Sequence, residues 1–437
     1  MTNSTTQIAL KNNTQSSNVH AYITGLDINR DNHVLLIQSD GKTVYHPDSP
    51  SQPQAALAAN CAIPLGAPGS TTNVTIPQIA GGRIWFAVDG ELKFKVNPGP
   101  ALVEPAVNNL ADPNYNTNWG FCEFTFNKDQ LFVNISYVDF VSLPIALELR
   151  NEQGKVQSVG GMNQGGLDAI CKGLEAQHAK DGQGWDKLVI KGPNGQNLRA
   201  LSPNAGNVIS PGLFNGYYQA YVDQVWDKYS KEELTINTQV AAGDVKGKVV
   251  NGKFDFGNAG VYDKPTAQDI FTCSTGPFAT DQNQAKLPII PRLAAAFNRS
   301  TLLINSNQPS GEKVANYYKN DITNHYSRVV HENNANGRGY AFPYDDVAPG
   351  NGEDQAGTVF DGAPQLLTVT LGGGASGAVP PTNGQKQKAP TAPKAPNGNN
   401  KNGKPANQKP TGEKKKNGLW QKVKTTVGKA TQKIMCK

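Results

Sequence analysis

Long apolar runs are absent from this 437-residue chain: no stretch approaches the roughly 18 apolar residues that a membrane-crossing helix needs. The opening segment, MTNSTTQIALKNNTQSSNVH, shows no basic stretch followed by an apolar one, so no secretory leader is expected there. Cysteine is scarce: Cys61, Cys122, Cys171, Cys273 and Cys436 are odd in number and scattered. Such usage fits neither a dense disulfide framework nor a zinc ligand set. The six histidines have no H-x-x-x-H spacing, and no metal or other cofactor is expected. There is no G-x-S-x-G nucleophile elbow, and Gly160 to Gly166 carries neither the P-loop lysine nor dinucleotide-binding spacing.

What is present points to a β-rich chain. With 45 Gly, 29 Pro and 37% hydrophobic residues in many short alternating runs, the composition favours strands and turns over a helical bundle. The length suits two or three folding units of about 150 residues each. Charge is segregated: from Gly373 onward there are 14 lysines against one glutamate, while the preceding residues hold 27 basic and 34 acidic side chains, a net −7. An acidic body carries a basic tail.

The most informative stretch is Phe121 to Pro144, FCEFTFNKDQLFVNISYVDFVSLP. Side chains of a strand alternate between faces, so Cys122, Phe124 and Phe126 share an apolar face while Glu123, Thr125 and Asn127 share a polar one. Cys122 is thereby expected to be a buried free thiol. Asn127-Lys128-Asp129-Gln130 closes a hairpin, and Leu131, Val133, Ile135 and Tyr137 continue the apolar face. A two-residue loop at Lys128 and Asp129 sets Glu123 opposite Asn134 and Thr125 opposite Phe132. Asp139 then has the wrong parity for the Glu123 face, so the second strand must end or bulge near Val138 if the two carboxylates are to share a cleft.

Elsewhere, residues 1 to about 20 read as polar and poorly ordered until Ala21 to Leu26 starts a strand. Val34–Ile37 with Thr43–Tyr45, and Ile84–Val88 with Leu92–Val96, read as hairpins about Asp40-Gly41 and Asp89-Gly90. Helical spacing marks Gly165–Lys180, Leu213–Tyr229, Pro291–Arg299 and Gly311–Val330. Lys187–Lys191 and a hairpin at Asn251-Gly252 are strand-like, and Pro364–Leu371 is a last strand. Trp85, Trp119, Tyr115 and the stripe from Tyr217 to Trp226 are available as stacking platforms for a ligand, but aromatics at helical spacing more often form core. Asp345 and Asp346 serve either groove acidity or a turn or cap.

The run Glu123-Phe124-Thr125, then Ser136-Tyr137-Val138-Asp139 and Leu143-Pro144, resembles the acidic-cleft segment of thaumatin-like proteins. It resembles more closely the laminaripentaose-producing β-1,3-glucanases of glycoside hydrolase family sixty-four. Pro291 to Arg299 and Tyr340 to Val347 are also similar to that family, and the likeness extends to about Leu371. The resemblance implies a mainly β protein, a thaumatin-like β-sandwich or barrel body with an inserted α/β domain that together form an open groove for β-1,3-glucan. It implies Glu123 as general acid and Asp139 as general base of an inverting, endo-type hydrolysis, with Thr125, Asn127, Phe132, Asn134 and Ser136 on the substrate. Thaumatin-like proteins usually carry an Asp where this chain has Asn134, so this cleft is less acidic. Asn134-Ile135-Ser136 is also a glycosylation sequon, expected to be unused because a glycan there would block the cleft. Members of this family are expected outside the cell. The lack of a visible leader leaves three readings open: an intracellular protein, unconventional export, or an incomplete gene model.

The implied layout is a β body over residues 1–150, an inserted α/β domain over 151–290, and a return to the body over 291–373. A disordered Lys/Pro/Gly/Asn-rich linker over 374–418 and a basic amphipathic tail over 419–437 follow, and a monomer is expected. The rival to hydrolysis is a non-catalytic thaumatin-like β-glucan-binding protein of a wall or surface. A third reading makes the body a scaffold that the tail delivers to an anionic surface, membrane or nucleic acid.

Overall fold

The computed structural model describes residues 2–373; the linker and tail expectations, and Cys436, lie outside the described residues. Two large sheets contribute to one contiguous apolar core. The five-stranded sheet runs Val156–Val159, Ile145–Asn151, Pro364–Leu371, Thr5–Asn12, Thr71–Pro77. The eight-stranded sheet runs Thr358–Asp361, Leu131–Ile135, Asn118–Phe126, Ile79–Val88, Val19–Asp27, His33–Ile37, Val44–Tyr45, with Ile63–Pro64 also on Val19–Asp27. No closed barrel forms among the described residues, which corrects the barrel half of the expected body to open sheets over a shared core.

The hairpin at the centre of the larger sheet has the expected register, Glu123 opposite Asn134 and Thr125 opposite Phe132. Asn127 closes its turn by accepting the Asp129 and Gln130 N–H groups on Oδ1 at 2.9 and 3.0 Å. Cys122, Phe124 and Phe126 are buried against the core, as are Leu131, Val133 and Ile135. Cys122 is a free thiol whose burial pushes its pKa up. The other face of Asn118–Phe126 grades from 1% exposure at Trp119 and 7% at Phe121 to half-buried Glu123 and Thr125, so one strand carries both core and partly open surface.

Four local expectations are corrected. Residues 5–12 form a strand, because Ile8 and Leu10 are buried and the segment pairs parallel with Pro364–Leu371 and antiparallel with Thr71–Pro77. The Asp89-Gly90 hairpin does not form: Ile79–Val88 already has Val19–Asp27 and Asn118–Phe126 on its two edges, leaving none for Leu92–Val96. Leu92 and Phe94 turn into the core instead, where Phe94 packs edge-on against Trp85 at 5.6 Å. The helix read from Gly311 begins only at His325 and runs to Glu332, since Asn320 and Asn324 spend their side chains on backbone N–H groups, the latter as its N-cap. The helix read from Leu213 begins at Gln219 and runs to Lys231, after a series of turns.

Residues beyond the hairpin supply the helices Gly166–Asp181, Gln219–Lys231, Ile289–Arg299 and His325–Glu332. They also supply a small five-stranded sheet that includes the hairpin of Asp244–Val250 and Lys253–Asp255 about Asn251-Gly252, both at positive φ. The stripe of Tyr217, Tyr218, Tyr221 and Trp226 is core, packed with Phe271, Phe297 and Phe254.

Candidate active site

Glu123 lies in a transverse row that crosses five adjacent strands: Thr358, Asn134, Glu123, Arg83 and Thr24 occupy successive partner positions. Partners in such a row project on one face of the sheet, so Arg83 meets Glu123 side to side. Its Nε and Nη2 both donate to Glu123 Oε1 at 3.3 Å, and its Nη1 donates to Glu104, whose side chain reaches in from the segment after Ala101–Val103. One guanidinium is thus shared between two carboxylates, in the planar fork geometry that lysine cannot supply.

The guanidinium is also seated on aromatic rings. Its Cζ lies 5.4 Å from the Trp85 ring centre and 5.1 Å from that of Phe121, and Trp85 is itself held by an Nε1–H bond to Thr24 Oγ1 at 2.9 Å. Burial works against the Arg83 charge, but the negative charges of Glu104, Glu123 and Asp139 outweigh it and raise the pKa above its ordinary value. Arg83 therefore stays charged, and Asp139 acts on the same cation as Glu123.

A β-bulge aims this cluster. Ala80 and Gly81 face the single residue Thr125, and Gly81 and Gly82 face the single residue Gly25, so Ile79–Val88 carries one extra residue just before Arg83. Gly81 sits at φ 57, and a Cβ on Gly82 would lie 2.4 Å from the Phe124 ring. Larger residues at either position would unseat the strand that presents Arg83.

Asp139 escapes the parity conflict because its strand ends at Ile135. The chain then leaves the ladder: Ser136 bridges Tyr340, the Tyr137 N–H donates to the Tyr340 carbonyl at 2.8 Å, and Tyr326 Oη donates to the Tyr137 carbonyl at 2.7 Å. The Asp139 carbonyl accepts the Ser202 N–H at 2.9 Å, after which Phe140–Val141 pairs with Asn197–Leu201. A short segment anchored at both ends presents an exposed carboxylate.

The remaining candidates fall in several environments. Thr125 and Phe132 are half-buried on the Glu123 face. Asn134 is 2% exposed, with no acceptor for Nδ2 among the described residues, and this burial leaves no room for a glycan. Ser136 is buried at the end of the strand. Asn127 lies just past the strand, where its side-chain oxygen is spent on the turn. Trp85 and Trp119 are buried, and Tyr115, half-buried, lies under the Arg199 guanidinium at 5.6 Å.

Asp345 is structural: fully buried, it pairs with Arg299 Nη2 at 3.0 Å and with His331 Nε2 at 2.9 Å. Arg83 and Glu104 were not singled out from the sequence. The available signal was an arginine two residues before Trp85 on the same strand face, but which strand it would meet is a long-range fact.

A family model described as Beta-1,3-glucanase, that of glycoside hydrolase family sixty-four, matches residues 4–371 and so spans all of these side chains. The chain belongs to this family.

Two curated members, the glucan endo-1,3-beta-glucosidases of Arthrobacter sp. (strain YCWD3) and Cellulosimicrobium cellulans, are each 29% identical over 330 residues, 74% of this chain. The match covers 58% of each relative's own length, so the chain spans less than two thirds of the proteins it matches. Among solved structures, a laminaripentaose-producing β-1,3-glucanase in complex with laminaritetraose superposes with a TM-score of 0.75 at 29% identity, covering 84% of this chain and 99% of that one. A family sixty-four β-1,3-glucanase domain from Clostridium beijerinckii shares the fold, with a TM-score of 0.64 at 20% identity, over 84% of this chain and 98% of that one.

Proposed function

We propose that the chain hydrolyses β-1,3-glucan in the endo mode, with inversion, using Glu123 as general acid and Asp139 as general base. The observation that carries this reading is the shared cation: Arg83 orients Glu123 and stabilises the carboxylate that proton donation leaves behind, and the charge of Asp139 acts on the same guanidinium from a separate segment. A scissile bond lying between these two carboxyl groups would meet an acid on one side and a base on the other.

In this mechanism protonated Glu123 gives its proton to the glycosidic oxygen as the C1–O bond breaks. Asp139 takes a proton from a water that attacks C1 from the opposite face of the sugar, leaving Glu123 ionised and Asp139 protonated. The two proton transfers balance, and solvent restores the starting state. Such a water needs carboxyl groups about 6.5–9.5 Å apart. Thr125 is suited to hydrogen-bond sugar hydroxyls and Phe132 to stack on a pyranose face; Asn134 and Ser136 are buried and Asn127 spends its side-chain oxygen on the turn, so these three shape this strip of sheet and do not reach a sugar.

The wider reading includes a thaumatin-like body, an open groove beside residues 151–290, and a monomer. The basic residues 374–437 are proposed to bind anionic surfaces, membrane or nucleic acid, by charge. Their deletion should leave laminarin hydrolysis unchanged and reduce retention on anionic vesicles at low salt.

The deciding experiment is product analysis after incubation with laminarin and with curdlan. Release of a ladder of β-1,3-linked oligosaccharides supports the proposal, and glucan binding without new reducing ends makes the protein a non-catalytic glucan binder instead.

A further inference from the structure

Phe360 lies on Thr358–Asp361, the edge strand of the eight-stranded sheet, with 47% of its surface exposed. Its register partner is Phe132, which is itself opposite Thr125, so Phe360 projects on the face that carries Glu123. The Phe360 and Phe132 rings are nearly parallel, with centroids 6.2 Å apart and an interplanar angle of 22°.

The outer backbone groups of Phe360 are already used. Its N–H donates to Gln157 Oε1 at 3.3 Å, and Gln157 Nε2 donates to its carbonyl at 2.7 Å. This side-chain amide closes the edge against an incoming strand at that residue and holds the backbone from which the ring projects. An exposed aromatic with a capped backbone is placed to receive a ligand's face rather than another β-strand.

We infer that Phe360 and Phe132 form a two-ring platform that stacks on successive pyranose faces of a β-1,3-glucan, extending the binding strip from Thr125 to the sheet edge. The inference rests on the glucan-hydrolase reading of the same site. The apolar C–H face of a pyranose suits a fixed aromatic plane, while its rim of hydroxyls stays with water or with side chains such as Thr358. Adjacent strands are about 4.8 Å apart, so Phe360 stands roughly 10 Å from the strand that carries Glu123. It is a distal subsite residue, outside the reacting centre.

The test uses the full chain, with Phe360→Ala and Phe360→Trp. On laminarin, Phe360→Ala should raise KM about three- to tenfold, the worth of one aromatic stack, with kcat held. Phe360→Trp should keep KM at or below that of wild type. A packing role would lower the melting temperature and the active fraction, and therefore kcat, rather than KM alone. An active Phe360→Ala enzyme with unchanged KM overturns the platform.

Curdlan pull-down in the Glu123→Gln background separates the two readings. If wild type binds glucan without cleaving it, the hydrolase reading fails, and retention of Phe360→Ala still decides the platform: lost retention supports it and full retention overturns it. A wild type that neither binds nor cleaves glucan overturns both.

Discussion

Arg83 and Glu123 face each other across adjacent antiparallel strands, and two guanidinium nitrogens converge on one carboxylate oxygen at 3.3 Å. The pair fixes the orientation of Glu123, while Glu104 takes the third arm of the fork. Arg83→Met should lower kcat on laminarin by about 10- to 100-fold, the scale on which a misplaced catalytic group is felt. Arg83→Lys should not restore it, because a single ammonium cannot replace the fork. Steady-state kinetics, with melting curves to show that the variants are folded, make the comparison.

Glu123→Gln and Asp139→Asn should each cut hydrolysis by about 10²- to 10⁴-fold while leaving retention on curdlan close to wild type, since shape and hydrogen bonding survive. Reducing-sugar release measures the first quantity and pull-down the second. Full activity in either variant would remove that carboxylate from the mechanism.

The stereochemistry is open to direct measurement. Inversion of a β linkage yields the α anomer first, and proton NMR of fresh digests should show it before mutarotation. A first-formed β anomer would indicate retention and a carboxyl separation near 5 Å.

A buried cluster of Asp345, His331 and Arg299 should govern stability against pH. His331 has acceptors at both ring nitrogens, Asp345 Oδ2 at 2.9 Å and the Gly337 carbonyl at 2.7 Å, so it is held as the doubly protonated ring. Burial opposes that charge, but Asp345 outweighs it and raises the pKa above 6.5. A raised pKa stabilises the fold fully below the unfolded value, and that contribution is lost as pH climbs through the folded one.

For Asp345, burial pulls upward, but His331 and Arg299 outweigh it and lower the pKa below 3.8. Its contribution is present above that value and lost as pH falls through the lowered one. Urea unfolding of wild type should therefore weaken at both ends. Asp345→Asn should cost about 3–5 kcal/mol near pH 6 and flatten the alkaline fall, because it strands Arg299 and releases the hold on His331.

Local pattern was enough for much of the chain. Alternation on either side of Asn127-Lys128-Asp129-Gln130 determined the hairpin, its register, and the faces of Glu123, Thr125 and Phe132, because side-chain direction in a strand follows parity alone. Pro364–Leu371 was legible for the same reason. The tertiary structure decided which strands became neighbours. It set Arg83 against Glu123, which lies 40 residues further along the chain. It also paired residues 5–12 with Pro364–Leu371 and left the Asp89-Gly90 turn without a partner strand. A periodic pattern says which side of a strand is buried, whereas strand neighbours are chosen by how all the buried faces pack at once, and that choice leaves no trace in the local spacing of residues.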